Sequence, residues 1–209
     1  MRTAVRSVIV VSWILALNAG AARAEQGTAA QPAMDPAKQA AMEAMQRLGT
    51  PSEGHKALEP LVGTWTYTAQ WWMSPDESPQ SMTGTATNTL IFDGRFLKQE
   101  IRGQPEGEGQ PPFEGLGFTG YDNMRQEYQS VWFDNMVTGM TLGAGQFDTA
   151  TRTLTDQGDF SCPITGETHR WFRTAWTVMD QNHTTYESYS RTPEGHEFKS
   201  LEIHYSRAQ

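Results

Sequence analysis

Cys162 is the only cysteine in the chain, so no disulfide can form within it and the fold must rest on its packed core. Its five histidines, His55, His169, His183, His196 and His204, form no H-E-x-x-H pattern, and no C-x-x-C pair exists. The usual sequence signatures of a zinc site are therefore missing. There is no G-x-S-x-G nucleophile elbow. The apolar run from Val8 to Leu17 falls well short of the roughly 20 residues that a membrane-spanning helix needs. Positive charge is scarce, with 16 Lys and Arg against 24 Asp and Glu and a formal net charge of −8. Such a surface repels phosphate backbones and anionic headgroups, so neither nucleic acid nor a membrane surface is an expected partner.

The N-terminus has the layout of an export signal. Arg2 and Arg6 precede the apolar run, and Ala22-Arg23-Ala24 fits a small-x-small cleavage site. Residues 1–24 are expected to be a signal peptide, which directs the protein to a periplasm or out of the cell. No cysteine follows the apolar run, which argues against a lipid anchor. Cleavage would remove Arg2, Arg6 and Arg23 with no acid and leave the mature chain still more acidic. Residues 25–60 read as a flexible leader and a short helix. Asp35-Pro36 is an N-cap followed by proline at the first helical position, and Ala37 to Leu48 is rich in good helix formers. Met42, Met45 and Leu48 make a narrow apolar stripe. This helix either lies against the following domain, closing one end of it, or stands in solvent. Ser52 to Pro60 has room for one more helical turn.

From residue 61 the apolar period changes from near 3.6 to 2, and Gly, Pro, Asn and Asp recur at turn positions. The alternation predicts strands over Thr64–Met73, Thr83–Phe92, Arg95–Arg102, Phe113–Tyr121 and Glu127–Asp134. It then predicts Thr138–Phe147, Thr151–Phe160, Thr168–Met179, Thr184–Arg191 and Glu197–Ser206. Asp93-Gly94 has the composition of a two-residue hairpin turn. Residues 103–112 are too rich in Gly and Pro for a strand. Short strands with short turns and no intervening helix describe an all-β, up-and-down antiparallel barrel of about ten strands over residues 61–209. Closure removes exposed sheet edges.

Gly63-Thr64-Trp65 resembles the G-x-W signature at the first strand of lipocalins and related calycin barrels. The resemblance implies that Trp65 packs at the closed end, with an arginine from near the end of the last strand over its ring; Arg207 is the match. Leu61-Val62-Gly63-Thr64-Trp65, Gly94 to Glu100, Phe113 to Gly117, Gly120 to Asn123, Trp132 to Met136 and Glu197 to Ile203 are similar, in order, to blocks of a mostly bacterial family. That family is the domain-of-unknown-function 1579 family. The resemblance implies a calycin-like barrel and carries no established activity or catalytic residues.

Gly115-Leu116-Gly117-Phe118-Thr119-Gly120 matches G-x-G-x-x-G, but no helix follows to face a pyrophosphate. Small residues here instead let a strand bend or let a group approach its backbone. Glu100, Glu114, Glu187, Glu197 and Glu202 could supply paired carboxylates, yet a meander puts acids on every strand, so no catalytic residue is assigned. A haem held by one inward histidine is the one cofactor worth naming as an alternative; none is expected, nor is a metal.

The aromatic residues form the more informative set. If Trp65 points inward, so do Tyr67, Ala69 and Trp71. Phe172, Trp176 and Val178 share a face, as do Leu201, Ile203 and Tyr205, while Tyr128 and Trp132 share another. Such residues either fill a small barrel or line an apolar pocket. The candidate ligand-binding residues are Trp65, Tyr67, Trp71, Arg95, Trp132, Arg173, Trp176, Tyr186 and Tyr205. Arg95, Arg173 and Tyr186 would orient a ligand carboxylate if they face inward. The function expected is binding of a small apolar or amphipathic ligand in the barrel interior. The alternatives are a hydrolase or isomerase with its site at the barrel mouth, or a solid structural barrel. The sequence leaves the oligomeric state open.

Overall fold

Alternation of threonine with aromatic or small apolar residues in Gly63–Trp71 puts one side chain set in water and the other in the core. The same logic repeats around the whole domain. A computed structural model describes residues 34–209 other than 106, 108 and 110. The expected signal peptide therefore lies outside the described residues, as does the leader up to residue 33.

The described residues form strands β1 Gly63–Trp71, β2 Gln80–Ile91, β3 Phe96–Gly103, β4 Glu114–Asp122 and β5 Glu127–Asp134. They continue with β6 Thr141–Asp148, β7 Thr153–Phe160, β8 Arg170–Val178, β9 His183–Arg191 and β10 Glu197–Arg207. Each strand pairs antiparallel with the next, and β10 pairs with β1 to close the barrel. Trp65 stands opposite Arg207, and Tyr67 opposite Tyr205. One irregularity in β10, between Lys199 and Leu201, locally bends that strand.

The β2–β3 connection departs from the two-residue turn suggested by Asp93-Gly94. It spans residues 92–95, with Phe92, Asp93 and Gly94 all at positive φ and Arg95 N donating to Ile91 O at 3.1 Å. The strand expected from Thr138 begins only at Thr141, because Asp134 Oδ1 accepts from Met136 N and folds that segment into a turn.

One end of the barrel is closed by the segment before β1. Helix α1, Pro36–Gly49, is capped by Asp35, whose side chain accepts from Ala37 N. None of its residues is buried, and Met42 and Met45 remain exposed, so α1 is not the plug. It is only tethered: Arg95 donates to Gly49 O, and Asn123 Nδ2 donates to Leu48 O and Thr50 O, both at 2.8 Å. The plug is the next piece, a single turn α2 at Glu53–Lys56 and a 3-10 turn at Glu59–Leu61. Leu58 and Leu61 are wholly buried there against Leu97, Tyr128, Leu154, Trp176 and Val178. Tyr128 Oη donates to Gly54 O at 2.7 Å and ties the plug to β5. A second apolar cluster joins Trp65, Tyr67, Ala69, Ala86, Ile101, Ile203 and Tyr205.

Candidate functional site

These two clusters do not fill the barrel. A cavity of about 370 Å³ runs toward the end opposite the plug, within the range of roughly 300–1,000 Å³ typical of small-molecule sites. Its walls come from the inward-facing residues of all ten strands. Trp71, Met82, Phe113, Trp132, Phe160 and Leu201 stand toward the open end.

Of the nine residues singled out from the sequence, Tyr67, Trp71, Trp132, Trp176, Tyr186 and Tyr205 line this cavity. Trp65 does not. It is 1% exposed, its Nε1 donates to Leu61 O at 3.0 Å, and it belongs to the closed end. Arg95 does not face the interior either. It sits in the β2–β3 turn at the plug, where its guanidinium donates to Gly49 O and Phe92 O. Arg173 alternates with the inward Phe172 and Thr174, so period 2 sends it outward. There it pairs with Glu197 and lies 4.1 Å from the centre of the Tyr189 ring. The arginine clamp for a ligand carboxylate is thus corrected: neither arginine reaches the cavity, and Tyr186 alone of that trio does.

The carboxylates weighed from the sequence also point away. Glu100 pairs with Lys98 at 2.7 Å, Glu114 with Arg102 at 3.1 Å, and Glu187 and Glu202 share Lys199 at 3.0 Å each. His169, His183, His196 and His204 are exposed. His55 is buried, but in the plug, where its Nδ1 accepts from Ser52 N at 2.9 Å. Among the described residues no histidine lines the cavity, so the haem alternative has no ligand there. Nor do the described residues bring three His, Cys, Asp or Glu side chains together in a metal-binding arrangement.

The interior carboxyl that does matter is Asp156, which the sequence reading passed over. It lines the cavity halfway along β7. One of its oxygens accepts from Ser130 Oγ of β5 and the other from Thr174 Oγ1 of β8. Gly143 of β6 makes this possible, because a Cβ there would lie 2.7 Å from Ser130 Oγ and 2.8 Å from Asp156 Oδ2. Burial, and next the charge of Asp156, push the Tyr186 hydroxyl well above the usual tyrosine range, against a hydrogen bond with Thr174. Burial likewise raises Tyr205 and Tyr67. All three phenols are neutral hydrogen-bonding groups near neutrality. The signal that would have found Asp156 is strand parity: Leu154, Asp156 and Phe160 alternate on one face of β7.

The glycines of the G-x-G-x-x-G stretch serve packing. A Cβ on Gly115 would come within 2.2 Å of the Trp132 ring, and one on Gly117 within 2.9 Å. Bare strand backbone lets that indole lie flat along β4. Its Nε1 donates to Asp134 Oδ2 at 2.9 Å, which fixes the ring at the cavity wall. Gly120 does the same for Phe96, on the outside of the neighbouring turn.

Residues 50–207 match the family described as a protein of unknown function, DUF1579. The chain belongs to this family. No curated protein matches the chain. Among solved structures, Rv2717c from M. tuberculosis is similar, with a TM-score of 0.55 and 14% identity, over 77% of this chain and 100% of that one. A redesigned β-barrel gives a TM-score of 0.37 at 15% identity, over 73% of this chain and 96% of the other. The likeness of this DUF1579 chain to Rv2717c is one of fold.

Proposed function

We propose that this DUF1579 protein is an exported binding protein that holds one small, mainly apolar ligand inside its barrel. The observation that carries the reading is the cavity itself: about 370 Å³, open at one end and walled by Trp71, Phe113, Trp132, Phe160, Trp176 and Tyr205. A chain that needed only a stable barrel gains by filling such a volume, since roughly 24 cal/mol is lost per Å³ of apolar void. Leaving it hollow is a cost that binding offsets. The export signal read at residues 1–24 and the acidic surface both suit a soluble carrier outside the cytoplasm.

An enzymatic reading has less support. The cavity wall holds two carboxyls, Asp156 among Ser130, Thr174 and Tyr186 and Asp134 bound by Trp132 Nε1 and Met136 N, and no inward histidine or lysine stands among the described cavity residues to complete a nucleophile–base pair. Native mass spectrometry on the purified protein tests the binding reading. A discrete added mass that is released on unfolding supports it. An unliganded mass together with a failure to take up any apolar probe overturns it.

A further inference from the structure

Asp156 has no opposite charge. Among the described residues it forms no ion pair, and no Lys, Arg or His lines the cavity. A carboxyl facing an apolar interior is expensive unless it is paired and hydrogen-bonded. Ser130 and Thr174 supply one donor to each oxygen. Each carboxylate oxygen can accept more than one hydrogen bond, so acceptor capacity is left facing the cavity.

The surroundings of this carboxyl are aromatic. Trp176 meets Tyr186 edge-on at 6.0 Å between ring centres and lies 6.3 Å from Tyr205; Tyr205 in turn lies 5.9 Å from Tyr67. Ring faces attract cations, most strongly where water is excluded. Two further polar groups on cavity-lining residues lack a hydrogen-bond partner, the Gln99 Nε2 amide and the Tyr67 hydroxyl. Tyr67 is only 4% exposed, lines the same cavity, and its Oη has no hydrogen-bond partner. Asp156 and Tyr67 both sit at mid-strand, below the collar of Trp71, Trp132, Phe160 and Leu201, where the other cavity carboxyl, Asp134, already accepts from Trp132 Nε1 and Met136 N. An occupant that satisfies both features has an apolar body toward the mouth and a hydrogen-bonding, positively charged group halfway down.

We propose that the ligand is a small apolar amine, seated with its ammonium group on Asp156 and within the Tyr67, Trp176, Tyr186 and Tyr205 aromatic wall. The inference rests on the binding reading above and sharpens it. It also reverses the polarity expected from the sequence, where arginines were to hold a carboxylate.

Calorimetric titration of the purified protein with octylamine, 1-octanol and octanoate tests it. These probes share one chain and differ in the head group. Octylamine is expected to bind at least about tenfold tighter than octanol, with octanoate the weakest, as a charge-assisted hydrogen bond in a mainly apolar cavity implies. In Asp156→Asn the octylamine advantage over octanol should shrink to within about twofold. A cooperative urea melt reports that the variant is folded. Equal binding of amine and alcohol by the natural protein overturns the amine assignment and leaves the apolar-ligand reading standing. An advantage that survives Asp156→Asn overturns the role of Asp156. Failure of all three probes to bind overturns the apolar-ligand reading and the amine assignment together.

Discussion

The guanidinium carbon of Arg207 lies 4.2 Å from the centre of the Trp65 ring, joining the last residue of β10 to the start of β1. The same side chain donates from Nη1 to Val62 O at 2.9 Å and from Nε to Gln181 O at 2.8 Å. It therefore staples three segments of the closed end: the plug, the β8–β9 turn and the closing strand pair. Cation–π contact contributes roughly 0.5–2 kcal/mol and hydrogen bonds from a charged donor roughly 1.5–3 kcal/mol each where buried. Part of that is screened at this half-buried site. Arg207→Ala should cost about 2–4 kcal/mol, read as a lower urea midpoint with an unchanged m-value. Arg207→Lys should recover less than half of the loss, because an ammonium cannot reproduce the planar fork.

His55 makes the plug sensitive to acid. It is 7% exposed, stacks edge-on to Tyr121 at 5.8 Å, and uses Nδ1 as an acceptor for Ser52 N. Burial first, and the nearby Arg95 charge second, hold its pKa below the ordinary 6.5. The unfolded chain therefore binds this proton more readily than the folded one. Stability from this group is full above about pH 6.5 and falls as the pH drops below that value toward the lowered folded pKa. His55→Gln keeps a side-chain acceptor at the third helical position but cannot be protonated. Urea melts at pH 7.5 and pH 5.5 should show a smaller stability difference for His55→Gln than for the natural protein. An equal difference would remove His55 from the acid response.

Tyr128 links the same plug to the barrel wall. Burial, with a smaller contribution from Tyr121, pushes its hydroxyl up to about 12, and that hydroxyl donates to Gly54 O. Tyr128→Phe leaves the carbonyl of Gly54 unpaired and should cost about 1–2 kcal/mol. Hydrogen exchange should show the loss concentrated at residues 52–61, with β1 to β10 little changed.

Gly145 on β6 and Gly139 in the turn before it separate a close approach from open space. A Cβ at Gly145 would fall 1.7 Å from the Thr155 carbonyl oxygen, which is backbone, whereas one at Gly139 meets nothing within 4 Å. Gly145→Ala should cost more than about 3 kcal/mol, at or above the usual range for overpacking. Gly139→Ala should leave the melting temperature unchanged. Similar losses in both would mean that strand approach does not explain Gly145.

Much of the barrel was readable from the chain because strand parity is a strong signal when one face is aromatic and the other threonine, as in Gly63–Trp71. The same parity put Tyr67 with Trp71 on one face of the first strand and Ile203 with Tyr205 on one face of the last, and barrel closure sets the two faces side by side. Turn details were harder. Asp93-Gly94 has hairpin chemistry, but three successive residues of positive φ lengthen the loop by local backbone geometry that composition does not encode. The sequence left open which segment closes the barrel. Pro36–Gly49 has the better helix sequence, whereas Glu53–Leu61 is short, and its importance comes from Leu58 and Leu61 meeting residues of four strands far away in the chain. Arg95 and Arg173 were grouped with the site by charge alone. Asp156 was passed over because one acid in a strand looks like any other until Ser130, Gly143 and Thr174 are brought around it by β5, β6 and β8.

Whether the barrel interior takes up an apolar molecule is the question on which the rest depends, and calorimetric titration with 1-octanol of the natural protein and of Leu201→Trp answers it most directly. Leu201 lines the cavity toward its mouth, and the larger indole would occupy the space a ligand needs. The binding account predicts one saturable site in the natural protein and at least about a tenfold loss of affinity in Leu201→Trp, with both proteins melting cooperatively. Absence of saturable binding in the natural protein, or equal binding by the two, would contradict it.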